Sequence, residues 1–273
     1  MEPLCALTIA GSDSGGGAGI QADLRTFSAF AVHATCAITA VTAQNTVGVS
    51  AVVNLEPGAV VAQIDAVLDD FDVRAVKTGM LAQASTIVAV AELARAGRFA
   101  TLVVDPVLVS SSGHALLDVG GVEAYRDALL PHADLVTPNL PEAAVLTGIS
   151  VHDVKTHDDM LELARRLLAL GPRSVLVKGG HFVASTVTEL QAPDLLLGAD
   201  GLFVFNAPRV TTTNDHGTGC SLAAAITAGL AYGRTMPDAV RDAKSFVLAA
   251  LTSAASWRLG RGRGPIDHFG WNE

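Results

Sequence analysis

The chain has 273 residues, half of them hydrophobic, and only 16% are charged. This composition excludes an intrinsically disordered chain, which needs low hydrophobicity and a high net charge. The formal net charge of −9 argues against a sequence-independent nucleic-acid binder, because such a protein needs a basic surface that displaces counterions from phosphates. The length suits one large α/β unit, and we expect residues 1–273 to form a single domain.

The sequence predicts neither a membrane span nor an export signal. The mean hydropathy is +0.41, but the longest apolar runs are far shorter than the ~20 residues that a spanning helix requires. Glu2 stands where a secretory signal carries basic residues. The three cysteines, an odd number at unrelated spacings, favour reduced thiols over a disulfide framework. We therefore expect a soluble protein of the cytoplasm.

Short β-branched segments alternate with segments of helical periodicity along the chain. Strands and helices that alternate through short connections predict a mostly parallel sheet covered by helices on both faces. Gly198 to Gly201 form a turn rich in residues that tolerate positive φ, which predicts a hairpin. We predict strands at 4–9, 35–43, 49–55, around 75, 101–105, 135–137, 174–178, 194–197 and 202–205, and helices from the glycine-rich turn to about 30, from 57, at 83–96, 122–130 and 158–170, and from about 219 and 238.

In open parallel sheets, ligands bind beyond the carboxyl ends of the strands. The first predicted strand is followed by GSDSGGGAG (11–19), which fits neither G-x-G-x-x-G nor G-x-x-x-x-G-K-[ST]. Such a loop still exposes backbone N–H groups to a ligand, although a merely tight strand-to-helix turn is the alternative. Asp23 and Gln44 offer acceptor and donor groups that suit a heteroaromatic ring with an amino substituent. Taken singly, each is more often a helix-surface or capping residue.

Three oxygen-bearing side chains follow two neighbouring predicted strands. Asp105 comes at the end of one strand, and Asn139 and Glu142 lie three residues apart where the next helix begins. An acidic residue at a strand end is costly unless it meets a cation or hydrogen-bond donors. The three side chains therefore make a plausible Mg²⁺ neighbourhood, directly or through waters. The alternative for Glu142 is a first-turn acid that complements the helix dipole.

Two further segments are typical of phosphate binding. Lys178 leaves a predicted buried strand just before two glycines, and a lysine whose ammonium group reaches solvent at a sheet edge is the alternative. The segment NDHGTGC (214–220) runs into an apolar helix, and Gly217 and Gly219 allow successive N–H groups to converge as an anion hole. Cys220 lies at its floor, where a positive helix end should make the thiol more acidic than a free cysteine at ~8.5. Inert packing is the usual role of a buried cysteine.

Taken in chain order, these motifs resemble the ribokinase-like (PfkB-type) family of small-molecule kinases, and more closely its hydroxymethylpyrimidine/phosphomethylpyrimidine kinases of thiamine biosynthesis. Many ribokinase relatives have Asp where this chain has Cys220, which separates the branches. The resemblance spans nearly the whole chain and is carried by AGSDSGGGAGIQADL (10–24), TAVTAQNT (39–46), KTGML (77–81), DPV (105–107), TPNLPEA (137–143), VKGGH (177–181), DHGTGC (215–220) and GRGPIDHF (262–269).

The resemblance implies a three-layer α/β/α fold, a homodimer and two MgATP-dependent reactions. The first phosphorylates the hydroxymethyl group of 4-amino-5-hydroxymethyl-2-methylpyrimidine, and the second phosphorylates the resulting monophosphate to the diphosphate. Cys220 takes the place of the family's catalytic base, and Asp105 and Glu142 organise Mg²⁺ and its waters together with Asn139. The resemblance also implies that the pyrimidine pocket is lined by Gly11, Ala18, Asp23, Gln44, Met80 and Val107, with Gln44 and Asp23 supplying the polar contacts. ATP is contacted by Asn139, Lys178 and Lys244. The transferring phosphoryl group is bound by the amides of Gly217, Thr218, Gly219 and Cys220.

Two alternatives stay open. A pyridoxal or pyridoxine kinase has the same fold and a substrate with a hydroxymethyl group on a nitrogen heterocycle, but Gln44 favours the aminopyrimidine. A catalytically silent sensor of the pyrimidine or nucleotide is the other.

His181 and His216 lack the spacing of zinc ligands. The arginines of 258–263 are expected to be a solvated ending, and the adenine pocket is expected between the hairpin and the last two helices, without an identifiable motif.

Overall fold

A computed structural model describes residues 2–108, 117–180 and 191–271. The strands of this part of the chain are β1 Cys5–Ser12, β2 His33–Asn45, β3 Gly48–Asn54, β4 Val73–Thr78, β5 Leu102–Val104, β6 Leu135–Val136, β7 Ser174–Lys178, β8 Asp194–Gly198 and β9 Gly201–Phe205. Its α-helices are α1 Gly19–Ala29, α2 Pro57–Leu68, α3 Ala84–Arg95, α4 Gly121–Ala124, α5 Leu140–Thr147, α6 His157–Leu168, α7 Thr218–Ala231 and α8 Met236–Ala254.

The nine strands form one sheet in the order β3-β2-β1-β4-β5-β6-β7-β8-β9. Five of its neighbouring pairs are parallel, from β2–β1 through β6–β7. The edge pairs β2–β3, β7–β8 and β8–β9 are antiparallel. The predicted mostly parallel α/β architecture and the hairpin at 198–201 are therefore confirmed.

Successive side chains of the strands pack into two hydrophobic cores, one on each face of the sheet. Leu102 and Val104 of β5 belong to the core that also contains residues of α2, α3, α5 and α6. Val103 between them belongs to the core built with α7 and α8. Because successive side chains of a strand point to opposite faces, each all-apolar strand is buried on both sides. The result is the expected three-layer α/β/α arrangement.

The predicted helix at 122–130 is the one element that differs clearly from the structure. Only Gly121–Ala124 is α-helical, and it continues as a π-helical segment at Tyr125–Leu129 and a 3₁₀ turn at Leu130–His132. Pro131 lies in this last turn, and because proline has no N–H group it cannot continue an α-helical hydrogen-bond ladder. The apolar periodicity across 122–130 thus predicted a buried helical segment correctly but not its hydrogen-bond pattern.

Parallel pairing brings the carboxyl ends of β1, β4, β5, β6 and β7 to the same edge of the sheet. The glycine-rich loop, the segment at Asp105 and the start of α5 follow three of these ends, so the chain returns to one region after each strand. Among the described residues, no helix combines the length and the apolar character that a bilayer crossing needs.

Candidate active site

A cavity of about 810 Å³ lies at the carboxyl edge of the sheet. Of the predicted site residues, the structure brings all but Asp23 to its walls. They are Gly11, Ala18, Gln44, Met80, Asp105, Val107, Asn139, Glu142, Lys178, Gly217, Thr218, Gly219, Cys220 and Lys244.

The glycine-rich loop is held in place by one buried carboxylate, that of Asp13. Its Oδ1 accepts a hydrogen bond from the amide of Gly15 at 2.8 Å, and Oδ2 accepts from the amides of Gly17 and Ala18 at 3.0 and 2.9 Å. His216 Nε2 lies 2.9 Å from the same Oδ2. Burial acts to raise the pKa of Asp13, but these hydrogen bonds outweigh it and hold the pKa below its usual value. The amides of the glycine-rich loop therefore bind the carboxylate of Asp13, a residue of the same loop.

Gln44 lies on β2 and lines the cavity. Its Oε1 is 3.3 Å from Thr42 Oγ1, and its Nε2 is 3.2 Å from His216 Nε2. The backbone of Gln44 is clamped to the glycine-rich loop, since its N–H donates to Ser14 Oγ and its carbonyl accepts from the same hydroxyl, both at 2.7 Å. Sequence reasoning missed His216 and Asp13 as neighbours of Gln44, because they come from segments 203 residues apart.

Asp23 does not reach the cavity, which corrects the expectation that it contacts a ring directly. Its carboxylate is fully buried and accepts two hydrogen bonds from Lys77 Nζ, at 2.9 and 2.8 Å, and one from Thr8 Oγ1 at 2.6 Å. Lys77 is fully buried as well. Burial acts to lower the pKa of Lys77, but the Asp23 carboxylate overcomes it and keeps the ammonium group charged. The sequence showed a polar residue in apolar surroundings but not the lysine that neutralises it.

Asp105 and Lys178 form a second ion pair, and this pair faces the cavity. Lys178 Nζ donates to Asp105 Oδ1 at 2.8 Å, and Thr137 Oγ1 donates to the same oxygen at 3.1 Å. Burial would raise the pKa of Asp105, but Lys178 and Lys77 hold it below the usual value. The carboxylates of Asp105 and Glu142 raise the pKa of Lys178 against the opposing effect of burial. The pair is fully ionised at neutral pH.

Glu142 and Asn139 form a capping box at the start of α5. The amide of Glu142 donates to Asn139 Oδ1 at 2.9 Å, and the amide of Asn139 donates to Glu142 Oε2 at 2.8 Å. The helix-start alternative for Glu142 is thus part of its role. Burial raises the pKa of Glu142 to about 7, with Lys178 opposing and Asp105 adding to the shift. A carboxyl group that titrates near neutrality inside a cavity is typical of a functional site.

The segment 215–220 makes the positive end of the cavity. Gly217 precedes α7 with a φ of 84°, and a Cβ there would lie 1.8 Å from the backbone oxygen of Gly17. Glycine is therefore required both for the backbone conformation and for contact between the two glycine-containing loops. A Cβ on Gly219 would lie 3.2 Å from Lys178 Nζ, so this ammonium group lies beside the first turn of α7. The amide of Thr218 donates to the Asp215 carbonyl at 3.3 Å. The N–H groups of a helix start that have no intrahelical partner, together with a lysine, suit a phosphate group.

Cys220 lies in the first turn of α7, but its thiol is less acidic than a free cysteine. Burial raises its pKa to about 11, and although Lys77 opposes this, the carboxylates of Asp23 and Asp105 add to it. The amide of Gly19 donates a hydrogen bond to its sulfur. The expectation of an acidic thiol is therefore wrong in this structure. It counted the helix N-terminus and left out desolvation and the two nearby carboxylates.

The other end of the cavity is apolar and lies between the β8–β9 region and the last two helices. Lys244 borders it, donating to Asp194 Oδ2 at 2.5 Å and to the Ala192 carbonyl at 2.8 Å. Because Asp194 also accepts from the amide of Gly179 at 2.9 Å, the lysine is anchored next to the loop after β7. The apolar lining includes Ala192, Val210, Leu222, Val247, Leu248 and Leu251.

The arginine-rich segment near the carboxyl terminus is not simply a solvated ending. Arg263 lines the cavity and makes a two-pronged ion pair with Asp215, with Nε 2.8 Å from Oδ1. The amides of Arg261 and Gly262 both donate to Thr46 Oγ1 at 3.1 Å, which ties the segment to the β2–β3 turn. Sequence reasoning read only the composition of this segment and missed its ion-pair partner. His181, the last residue of the VKGGH motif, lies outside the described residues.

The cavity thus has polar side chains around Gln44, a positive turn at the start of α7 and an apolar end. Gln44, Lys178 and Cys220 all line this one cavity. Phosphoryl transfer needs alignment and charge neutralisation more than covalent chemistry. The fold and the site define a ribokinase-like small-molecule kinase.

The comparisons with known proteins identify the family within this class. The family model of phosphomethylpyrimidine kinase matches residues 13–267, and the chain belongs to this family. It is 50% identical over 265 residues to a hydroxymethylpyrimidine/phosphomethylpyrimidine kinase of Rhizobium meliloti, covering 97% of this chain and 96% of the relative.

Solved structures agree with this assignment. A phosphomethylpyrimidine kinase from Clostridium difficile is 41% identical with a TM-score of 0.79, covering 91% of this chain and 99% of that one. The pyridoxal kinase of Staphylococcus aureus in complex with AMP-PCP and pyridoxal is 33% identical with a TM-score of 0.87, covering 100% and 96%. The fold is therefore shared by kinases of both ring systems.

Proposed function

We propose that this protein uses ATP to phosphorylate 4-amino-5-hydroxymethyl-2-methylpyrimidine to its monophosphate and then to its diphosphate, as a kinase of thiamine biosynthesis. One observation carries the proposal: a single cavity holds the Gln44 amide and the first turn of α7 with Lys178 beside it. Family membership and 50% identity to a relative named for both reactions support it.

The positive turn supplies most of the proposed catalysis. The amides of residues 217–220 and the Lys178 ammonium group bind the terminal phosphate of ATP, where negative charge is redistributed during transfer. Lys178 exchanges part of its contact with Asp105 for contact with the phosphate. Lys244 and Asn139 face the rest of the nucleotide, whose base occupies the apolar end. The ring is held by Gln44 and packed against Met80, Val107 and the backbone of Gly11 and Ala18.

The carboxylates of Asp105 and Glu142 fit a magnesium ion. Mg²⁺ in nucleotide sites takes one or two carboxylates, several waters and phosphate oxygens, and both carboxyl groups line the cavity beside the phosphate turn. The ion would neutralise charge on the ATP phosphates and lower the pKa of Glu142 from its value of about 7. No set of three or more His, Cys, Asp or Glu that could hold a metal occurs in the part of the chain that the structure describes. Phosphate oxygens and waters would therefore complete the coordination.

Cys220 is proposed as the residue beside the acceptor hydroxyl. With a pKa of about 11, its thiolate is a strong base but makes up only on the order of one part in a thousand at pH 8. In its thiolate form it accepts the hydroxyl proton while the oxygen bonds to phosphorus and the ATP β–γ bridge breaks. A monophosphate acceptor is already anionic and needs no such base. Cys220 should therefore matter more for the first phosphorylation than for the second.

The test is to incubate the protein with MgATP and the hydroxymethylpyrimidine and to identify the products by mass. We expect the monophosphate to form first and the diphosphate to follow, with one ADP released for each phosphate transferred. ATP turnover is followed with and without the pyrimidine in parallel, because a sensor would bind both ligands without a phosphorylated product. Absence of both products from folded protein would refute the proposal.

Pyridoxal phosphorylation is the second candidate, since pyridoxal kinase structures superpose on this chain with a TM-score of 0.87. Both substrates carry a hydroxymethyl group on a six-membered nitrogen ring. The Gln44 amide offers a donor and an acceptor to an aminopyrimidine edge, which favours the first candidate. Side-by-side measurement of kcat/KM decides between them, and a larger value for pyridoxal would reverse the assignment.

We further propose that residues 1–273 act as one kinase domain, in the cytoplasm and as a homodimer. Site residues drawn from β1 through α8 support a single domain. The free thiols of Cys5, Cys36 and Cys220 fit a reducing compartment. The dimer follows from the family resemblance, and sedimentation velocity tests it.

A further inference from the structure

Four polar side chains meet at the substrate end of the cavity, and only Gln44 has a role in the chemistry above. The others are Asp13, which is 3% exposed, Thr42, which is 5% exposed, and His216, whose side chain is 11% exposed. They come from the glycine-rich loop, from β2 and from the segment before α7.

His216 must donate from Nε2. The Asp13 oxygen at 2.9 Å from this nitrogen also accepts from the amides of Gly17 and Ala18, so the carboxylate offers only lone pairs. A ring nitrogen that carries a hydrogen cannot also accept one. The one hydrogen on Nε2 points mainly to Asp13, and the Gln44 atom at 3.2 Å can only share it. That atom is therefore favoured to be the amide oxygen, because an amide N–H there would meet another N–H.

Thr42 imposes the matching condition on the other side of the amide. Its hydroxyl hydrogen is donated to the Ser12 carbonyl at 2.8 Å. The same oxygen lies 3.3 Å from the Gln44 side chain, where it can only accept. Because amide oxygen and nitrogen have nearly the same shape, their hydrogen-bond partners decide which way the group faces. Both neighbours therefore favour the reverse of the placement described above for Gln44, with the amide oxygen facing His216 and the amide nitrogen facing Thr42.

We propose that Asp13 and His216, with Thr42, are positioning residues that lock the Gln44 amide in this orientation and so determine which ring edge the site accepts. This proposal rests on the proposed function, in which Gln44 binds the substrate ring. In the locked orientation the amide presents an acceptor and a donor to that ring in a fixed order. This order matches a ring with an amino group beside an unprotonated ring nitrogen. A ring with an oxo group beside a ring N–H has the reverse order and meets donor against donor and acceptor against acceptor.

A site whose polar groups hydrogen-bond the ligand strongly rejects an analogue that leaves those site groups unpaired. An apolar pocket discriminates between such analogues much less. Without the lock, the amide can rotate to suit either edge. The residues of the lock therefore contribute to discrimination between ligands rather than to the phosphoryl transfer step. This distinguishes them from residues that merely hold the two loops together, whose loss would weaken all ligands alike.

The experiment measures dissociation constants by calorimetry, without ATP, for the 4-amino pyrimidine and its 4-oxo analogue. We expect the wild-type protein to prefer the amino ring by about 100-fold, the product of roughly tenfold for each of two mismatched hydrogen bonds. His216→Phe keeps an aromatic ring but removes the donor, and should reduce the preference to less than about tenfold. Thr42→Val, which is nearly isosteric and lies on a different segment, should reduce it in the same direction. His216→Gln restores an N–H donor and should recover part of the preference.

An unchanged amino-to-oxo ratio in both His216→Phe and Thr42→Val would overturn the proposal, as would an equal loss of affinity for both rings. Failure of the wild-type protein to bind the amino ring would also overturn it. Thermal unfolding of each variant confirms that it is folded. Ring binding with the expected ratios but no turnover with MgATP would refute the proposed kinase function and leave the amide lock supported, so the two failures are distinguishable.

Discussion

Two lysine–aspartate pairs lie near the same edge of the sheet and differ in their access to the cavity. In both, the Nζ···O distance is 2.8 Å. Lys77 and Asp23 are 0% exposed and do not line the cavity. Lys178 is 13% exposed, Asp105 is 2% exposed, and both line it.

The two pairs contain the same residue types, so their roles differ because only one of them is accessible from the cavity. The inaccessible pair stabilises the fold, and the accessible pair can contact a ligand. The sealed pair is satisfied within the fold, so a ligand cannot compete for either charge. In the open pair, the phosphate of an incoming ligand can accept part of the Lys178 hydrogen bonding, and the Asp105 carboxylate can then bind a metal cation. Substitutions in the sealed pair should therefore affect stability, and substitutions around the open pair should affect turnover.

Breaking the sealed pair should have the largest effect, and on stability. Lys77→Met leaves the Asp23 carboxylate without a counter-charge in a fully buried site, which should cost about 3–5 kcal/mol of unfolding free energy. Removing both charges in Lys77→Met with Asp23→Leu should recover most of this loss. Urea denaturation measures both variants. A double variant as unstable as the single one would show that the pair itself, and not the unpaired charge, stabilises the fold.

Breaking the open pair should mainly affect turnover. Lys178→Met removes the ammonium group beside the first turn of α7, and we expect kcat/KM to fall by about 10²–10³. Unfolding free energy should change less than in Lys77→Met, because Asp105 keeps its Thr137 hydrogen bond and the nearby positive charge of Lys77. Lys155→Met, at an exposed position, is the control for loss of one positive charge. Equal losses of stability in Lys77→Met and Lys178→Met would remove the distinction.

The contact between the glycine-containing loops gives a third test. Gly217→Ala introduces a Cβ 1.8 Å from the Gly17 oxygen at a φ of 84°, so the turn must shift. The KM for ATP should rise by roughly tenfold or more, because oriented amides lose their alignment. Gly233→Ala is a matched control with a φ of 74° and open space around the new methyl group. A comparable rise in KM in this control would attribute the effect to general backbone strain.

Cys220→Ala separates the two phosphorylations. We expect on the order of a tenfold loss in phosphorylation of the hydroxymethyl group, below the usual 10²–10⁴ for a positioned base because a thiol with a pKa of about 11 is mostly protonated. The loss with the monophosphate should be smaller. Since the pKa of the thiol is about 11, the wild-type rate with the alcohol should still be rising between pH 8 and 9, and this rise should be absent from the variant. Steady-state rates with each acceptor are the measurement. Equal losses in both reactions would leave Cys220 a packing role.

Glu142 should produce the smallest effect, a change in stability with pH. Its pKa is raised from 4.5 to about 7, so between these values the native state binds more protons than the unfolded state. Stability from this group is complete below about pH 4.5 and is lost as the pH rises through 7. Relative to Glu142→Gln, the wild-type protein should lose about 1 kcal/mol between pH 5 and pH 8, less than the full shift because cavity water screens the charge. A pH-independent difference between the two proteins in denaturation experiments would contradict this.

Patterns that are local in sequence predicted most of the fold. Alternation of strands and helices gave the parallel sheet, and a glycine-rich turn gave the hairpin at 198–201. The π-helical segment at 125–129 was missed because apolar periodicity cannot distinguish an α-helix from a wider turn. Glycine loops and polar residues at strand ends likewise identified the walls of the cavity.

Contacts across the chain account for what was missed. Asp23 was assigned to the ligand because nothing local reveals Lys77 as its partner, 54 residues away. The pairing of Asp13 with His216 and of Arg263 with Asp215 depends on how the loops pack together. The acidity of Cys220 was misjudged for a related reason, since burial depends on the whole fold.

A crystal structure of the protein with AMP-PCP and the hydroxymethylpyrimidine would show whether both ligands bind in this cavity as proposed. We expect the terminal phosphonate within hydrogen-bond distance of the amides of 217–220 and of Lys178 Nζ, and the ring paired with the Gln44 amide so that its hydroxymethyl oxygen faces that phosphorus. A terminal phosphonate bound away from the start of α7, or a ring outside the pocket of Gln44, would contradict the account.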